Sequence, residues 1–171
     1  TPSWIGESDK ASARLGTSVA SAGDVNGDGY ADLVAGAPYW NGGQSLEGAV
    51  FVYLGSASGL PAAPSWSDEP DKSGALLGYS VSSAGDLNGD GYADLVAGAP
   101  EWNNGTPLEG AAFIYFGSAS GLPATASWSR SSANGTYGVS VDAAGDVNDD
   151  GFGDLIVGNP NYNWAAYPDA G

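Results

Sequence analysis

Cysteine, histidine and methionine are all missing from the 171 residues, and Lys and Arg together number only 4. Without cysteine there can be no disulfide, no zinc–thiolate centre and no thiol nucleophile. Without histidine the commonest general base and soft-metal ligand is gone. Any metal must then be held by oxygen, which points to calcium or magnesium. The 4 basic residues face 20 acidic ones, for a formal net charge of −16. Such a chain repels nucleic acid and anionic membrane surfaces and attracts cations. Long hydrophobic runs are lacking as well. The longest, Ala49–Leu54, has the length of a strand, and a membrane-spanning helix needs about 18 residues or more. The chain opens on Thr1 rather than Met, as expected of a polypeptide that is processed, excised or only partial.

What is present is glycine, 28 residues of it, with 10 prolines and an apolar fraction of 42%. That combination suits a folded chain of short strands joined by tight turns, not a disordered one. The chain repeats itself. Trp4, Trp66 and Trp128 recur at one constant interval, Asp24 and Asp86 share it, and Asp146 follows after a slightly shorter one. The units are 2–63, 64–125 and 126–171 within a single segment, 1–171. The third is incomplete, with no counterpart of Glu109–Pro123. Each full unit holds four expected strands: Thr17–Ala22, whose small side chains suit a crowded inner strand, then Asp32–Gly36, the apolar Ala49–Leu54 buried on both faces, and one holding Ser65–Trp66. No sustained helical period occurs, so almost no helix is expected. The reading is all-β: sheets stacked one per repeat, as in β-propeller blades, each burying its faces only against its neighbours. About three blades, the last incomplete, leave two faces bare, so ring closure requires several chains or further sequence. The recurring Trp4, Trp66 and Trp128 are expected in the core.

Three acidic loops carry the chemistry: Asp24-Val25-Asn26-Gly27-Asp28-Gly29-Tyr30-Ala31-Asp32, Asp86-Leu87-Asn88-Gly89-Asp90-Gly91-Tyr92-Ala93-Asp94 and Asp146-Val147-Asn148-Asp149-Asp150-Gly151-Phe152-Gly153-Asp154. Calcium takes six to eight oxygens at about 2.3–2.6 Å. Oxygens at positions 1, 3 and 5 converge when the chain curls round an ion, and Gly at position 6 permits the bend. The carbonyl at position 7 turns inward and Asp at position 9 closes the shell. The expected ligands are therefore Asp24, Asn26, Asp28, Tyr30 and Asp32, then Asp86, Asn88, Asp90, Tyr92 and Asp94, then Asp146, Asn148, Asp150, Phe152 and Asp154, for about three calcium ions per chain. A turn needs one or two Asp, Asn or Gly residues, not five at fixed offsets three times over. Full occupancy would bring the formal charge from −16 to −10. An EF-hand is excluded, because position 12 is Ala35, Ala97 or Val157 rather than Glu.

Each loop is preceded by Leu15-Gly16, Leu77-Gly78 or Tyr137-Gly138, and followed by Gly36-Ala37-Pro38, Gly98-Ala99-Pro100 or Gly158-Asn159-Pro160. With these elements recurring in order over nearly the whole chain, the sequence resembles the FG-GAP repeats of integrin alpha-subunit β-propellers and similar secreted bacterial proteins. The resemblance implies a propeller of about seven blades, with calcium in the loop between the first and second strands of each blade, held by the residues just named. It implies ligands or partner domains on the opposite face. Unit three departs from the pattern at Asp149 and Asn159 and has no third strand. In the family the N-terminal segment often supplies the outer strand of the last blade, which Pro2–Ile5 could do here for its own chain or for another.

The leading functional expectation is a non-enzymatic, calcium-binding extracellular segment for adhesion or ligand binding. Calcium near millimolar outside cells would fill sites with dissociation constants of about 10⁻⁴–10⁻³ M. Its partner would be a protein or glycan at a propeller face, with no nucleic acid and no membrane insertion, and the chain would be a homo-oligomer or part of a longer propeller. A lectin-like alternative rests on Tyr39, Trp40 and Asn41, on Trp102, Asn103 and Asn104, and on Tyr162, Asn163 and Trp164, where aromatic faces beside amides suit sugars. These rings would otherwise cover blade edges. A self-assembling structural module is a third reading, since the units are so alike. Catalysis by paired carboxylates outside the loops finds no nucleophile–base constellation. Glu47 and Glu109 are repeat equivalents, expected to serve each blade structurally with a backbone donor.

Overall fold

The computed structural model describes residues 3–10, 12–105, 109–132 and 135–162. The described elements are all strands: β1 (Ser18–Gly23), β2 (Asp32–Ala37), β3 (Ala49–Tyr53), β4 (Trp66–Asp68), β5 (Ser80–Gly85), β6 (Asp94–Ala99), β7 (Ala111–Tyr115), β8 (Trp128–Ser131), β9 (Ser140–Gly145) and β10 (Asp154–Gly158). They form three antiparallel meanders ordered β1-β2-β3-β4, β5-β6-β7-β8 and β9-β10. The two-stranded third sheet follows from the missing counterpart of Glu109–Pro123. No described helix is long and apolar enough to cross a membrane.

The sheets stack through their first strands, β1 beside β5 and β5 beside β9. Small side chains such as Ser18, Ala20 and Ala22 make that approach possible, as expected for an inner strand. Strands β3 and β7 are buried at every position. The largest apolar cluster lies between the first two sheets, with Val25, Val34 and Val52 on one side and Leu77, Leu95 and Tyr115 on the other. A second lies between the next two, with Val96 and Ile114 against Val141 and Leu155.

Glycine lets the seams close. Gly36 in β2 lies so near Gly78 that a Cβ on it would overlap the Gly78 carbonyl oxygen, and Gly98 meets the Gly138 carbonyl in the same way. Gly78 and Gly138 themselves have φ of +80° and +88°, a conformation that side chains rarely adopt. Gly36 with Gly78, and Gly98 with Gly138, therefore mark the points where one sheet's backbone touches the next.

The tryptophans divide. Trp4 packs edge-on against Tyr53 and Trp66 against Tyr115, each at 5.0 Å between ring centroids. Their indole N–H groups donate to the carbonyls of Pro61 (2.8 Å) and Pro123 (2.9 Å). Trp128, expected in the core, is instead 45% exposed. The reason is positional: these indoles pack on the tyrosine of the following sheet, and Tyr53 and Tyr115 have no third counterpart in the sequence. Pro2 lies outside the described residues, and residues 3–5 form no strand. Trp66 sits in β4 because β3 pairs with it, whereas Trp4 is held by its side-chain contacts to Tyr53 and the Pro61 carbonyl.

Candidate functional site

The three acidic loops are the hairpin connections β1–β2, β5–β6 and β9–β10. Each first strand bulges just before its loop, at Ala22, Ala84 and Ala144, so that Gly23, Gly85 and Gly145 pair with Asp32, Asp94 and Asp154. A bulge bends the strand and re-aims the loop beyond it. The loops then curl round their first aspartate. Asp24 Oδ1 accepts the N–H groups of Gly27 (2.7 Å) and Asp28 (3.1 Å), and Oδ2 accepts that of Gly29 (2.8 Å). Asp86 does the same with Gly89, Asp90 and Gly91. Asp146 takes Asp150 and Gly151, and the Gly151 N–H foremost holds its carboxyl below the usual range. Gly29, Gly91 and Gly151 have φ of +88°, +90° and +91°, which is the bend that position 6 was expected to supply.

Positions 1, 3 and 5 are thereby drawn together. Asn26 Nδ2 donates to Asp28 Oδ2 at 3.0 Å, Asn26 Oδ1 accepts the Asp28 N–H at 3.1 Å, and Asp28 Oδ1 accepts the Tyr30 N–H at 2.9 Å. The Asn88–Asp90–Tyr92 set repeats these bonds at 2.9, 3.1 and 3.0 Å. The Asn148–Asp150–Phe152 set repeats them at 2.9, 3.1 and 2.9 Å. Position 9 sits beneath the loop. Asp32 accepts the N–H of Val25 (2.9 Å) with one oxygen and that of Gly55 (2.8 Å) with the other, and Asp94 holds Leu87 and Gly117 likewise. Burial pushes both carboxyls up, against the pull of those donors. Asp154 bonds Val147 and is only half-buried. Among the described residues, no three carboxylates are gathered into a ready metal cluster.

The donor set still fits a hard cation. Each loop presents carboxylate and amide oxygens on one curled turn, and an ionised carboxylate has about four lone-pair sites, so an oxygen already accepting one N–H keeps another lone pair. Loop three differs at Asp149, which holds φ +59° where Gly27 and Gly89 have +72° and +74°. Left-handed backbone is tolerated better by Asp than by most residues. The loops are also tied in series along one edge of the stack. Ala93 N–H donates to the Asp24 carbonyl (3.0 Å) and Gly153 N–H to that of Asp86 (3.2 Å). The rings of Tyr92 and Phe152 lie against Gly27 and Gly89 of the preceding loop.

The comparisons agree with this architecture. FG-GAP repeats match residues 15–53, 77–115 and 137–171. The chain belongs to the FG-GAP repeat family. Integrin alpha-PS5 of Drosophila melanogaster is 37% identical over 160 residues, 86% of this chain and 15% of its own length. Integrin alpha-3 of Cricetulus griseus is 31% identical over 169 residues, 90% of this chain and 15% of its own. Integrin alpha-IIb of Mus musculus is 39% identical over 100 residues, 58% of this chain and 10% of its own. This FG-GAP chain thus spans a small fraction of the length of the curated relatives it matches. Its three sheets are blades of an unclosed, integrin-like β-propeller arrangement.

The aromatic loops are engaged within their own FG-GAP blades. Trp40 packs edge-on against Phe51, donates to Glu69 (2.7 Å) and lies under the Lys10 ammonium. Trp102 packs on Phe113 beneath Lys72, and Tyr39 lies under the Arg14 guanidinium. Asn41 Oδ1 accepts the Leu46 N–H and Asn103 Oδ1 that of Gly105, while Asn104 N–H donates to Glu109. Tyr162 is exposed. Asn163 and Trp164 lie outside the described residues.

The glutamates meet the structural expectation. Fully buried Glu47 accepts the N–H groups of Gly42, Gly43 (2.7 Å) and Gln44 (3.0 Å) with Oε1, clamping the loop after β2. Its Oε2 is buried without a partner. Removing the one acceptor that three backbone donors share costs about 2 kcal/mol. Glu47→Ala is therefore expected to lower Tm by roughly 4–8 °C, with Glu47→Gln falling between it and the parent in a thermal scan. Sequence reasoning did not find Asp68, which accepts the Tyr115 hydroxyl at 2.7 Å across the seam. Nothing in the residue spacing signals that pair.

Proposed function

We propose that this FG-GAP segment is a calcium-stabilised, non-enzymatic extracellular module that binds a protein ligand in adhesion. The observation that carries the calcium reading is the threefold recurrence of the same bonds from positions 3 and 7 to the position-5 aspartate, in a curled Asp–Asn–Asp turn with a left-handed glycine at position 6. Asp24, Asn26, Asp28 and the Tyr30 carbonyl, with Asp32 beneath, would hold the first ion, and the matching residues the second and third. A bound divalent cation supplies positive charge that cancels repulsion among the carboxylates. The family supports an adhesion role, because the relatives are integrin alpha subunits. Millimolar calcium outside cells would fill sites with dissociation constants of about 10⁻⁴–10⁻³ M. A sugar platform is less favoured, since Trp40 and Trp102 are packed against phenylalanines.

Native mass spectrometry in calcium tests the reading. About three ions per chain are expected, and Asp28→Ala and Asp90→Ala should each remove one. Unchanged stoichiometry in both variants sinks the loop assignment. Beads coated with the chain should capture cell-surface or matrix protein in calcium and release it in EDTA. Capture by a glycan panel instead would support the lectin reading.

A further inference from the structure

Four Asn-Gly pairs lie among the described residues: Asn26-Gly27, Asn41-Gly42, Asn88-Gly89 and Asn104-Gly105. Such a pair can close on itself. Glycine has no Cβ to keep its backbone nitrogen away from the amide carbon of the preceding side chain. Closure is helped by a base for the glycine N–H, a donor that polarises the asparagine carbonyl, and an amide that is free to leave.

Of the four, only Asn41 has all of these. The Gly42 N–H donates to Oε1 of fully buried Glu47, whose Oε2 is buried without a partner. The Leu46 N–H donates to Asn41 Oδ1 at 2.6 Å. Asn41 is exposed, and its Nδ2 has no hydrogen bond among the described residues. Each of the other pairs lacks a part. Gly27 and Gly89 also donate to carboxylates, those of Asp24 and Asp86. There the amide that would leave is tied down, since Asn26 Nδ2 donates to Asp28 and Asn88 Nδ2 to Asp90. The Gly105 N–H donates to the side-chain amide oxygen of Asn103, which is no base.

We propose that Asn41 is a self-modification site, closed with Gly42 into a cyclic imide by Glu47 and the Leu46 N–H. The Gly42 nitrogen bonds to Asn41 Cγ, and its proton passes to Glu47. The Leu46 N–H stabilises the charge that develops on Oδ1. The Cγ–Nδ2 bond breaks, the proton is returned to the departing nitrogen, and ammonia leaves. Water then opens the imide at Cγ to give aspartate, or at the Asn41 main-chain carbonyl to give isoaspartate. One ammonia is lost and one water gained, and no oxidant or cofactor is needed. The change falls at the first seam. The Ser45 and Leu46 carbonyls of this loop accept the N–H groups of Gly74 (2.8 Å) and Leu76 (3.2 Å) from the second unit. Isoaspartate adds a main-chain carbon to the loop. Either product adds a carboxylate where those of Glu69 and Asp71 already lie close to Gly42 and Gly43. Conversion therefore loosens the contact between the first two units.

Peptide mapping of protein incubated below its melting temperature is the test, with fragmentation that locates each site and separates aspartate from isoaspartate. Position 41 should show the amide-to-acid mass gain at least about tenfold faster than Asn26, Asn88 or Asn104, and as a mixture of both products. Glu47→Gln keeps an oxygen for the loop but removes the base. It should slow conversion at Asn41 at least about tenfold and leave the rate at Asn104 unchanged, with circular dichroism reporting an intact fold. In the parent, conversion of Asn41 no faster than that of Asn104 overturns the proposal. So does aspartate formed without isoaspartate, which would mean direct hydrolysis. A folded Glu47→Gln variant that converts at the parent rate or faster overturns it too, and would make Glu47 a protecting clamp.

Discussion

Removing calcium from this protein is expected to lower its melting temperature by roughly 5–15 °C. With dissociation constants of about 10⁻⁴–10⁻³ M and free calcium of about 2 mM, three sites together contribute about 2–5 kcal/mol through mass action. For a chain of this size each kcal/mol moves Tm by roughly 2–4 °C. Without the proposed ions the loops keep nine aspartates at positions 1, 5 and 9 in a chain of formal charge −16. Salt should therefore restore part of the loss in EDTA by screening that repulsion. Magnesium should restore less, because it demands a tighter octahedral shell and gives up its water reluctantly. The measurement is a thermal unfolding scan in calcium, in EDTA, and in EDTA with excess calcium returned. A Tm indifferent to all three would remove calcium from the account and leave the loops as hydrogen-bonded turns.

Gly36→Ala is expected to cost about 3 kcal/mol, a fall of roughly 6–12 °C in Tm. The added Cβ meets the Gly78 carbonyl oxygen, with the carbonyl carbon at 2.8 Å and the Cα at 3.0 Å behind it. All three are backbone atoms, so no side chain can swing aside and the sheets must separate. Separation loosens the cluster of Val25, Val34, Leu77 and Leu95 that fills the seam. Gly98→Ala should behave alike at the second seam. Gly158→Ala is the internal control: the same motif glycine, with no clash inside the chain, should change unfolding of the dilute chain by no more than about 0.5 kcal/mol. Equal losses at Gly36 and Gly158 would refute the seam argument and point to strand flexibility as the cause.

The repeat, the all-β character and the three loops were legible because each depends on residues close together in the chain. Spacing at positions 1, 3, 5 and 6 determines how such a short turn curls, whatever surrounds it. The placement of Asp32 and Asp94 was not legible in this way. Their second hydrogen bonds go to Gly55 and Gly117, in each case far along the chain, and only the folded sheet brings these together. Trp128 teaches the same lesson in reverse. Its sequence context matches that of Trp4 and Trp66, yet it is exposed, because its environment depends on a tyrosine from the following sheet. The seam glycines were visible as a motif, but their physical role emerged only when Gly36 and Gly78, from different repeats, were found backbone to backbone. Local spacing determined the chemistry of the loops. Non-local packing decided which faces are covered, since burial belongs to pairs of sheets and no single repeat encodes it.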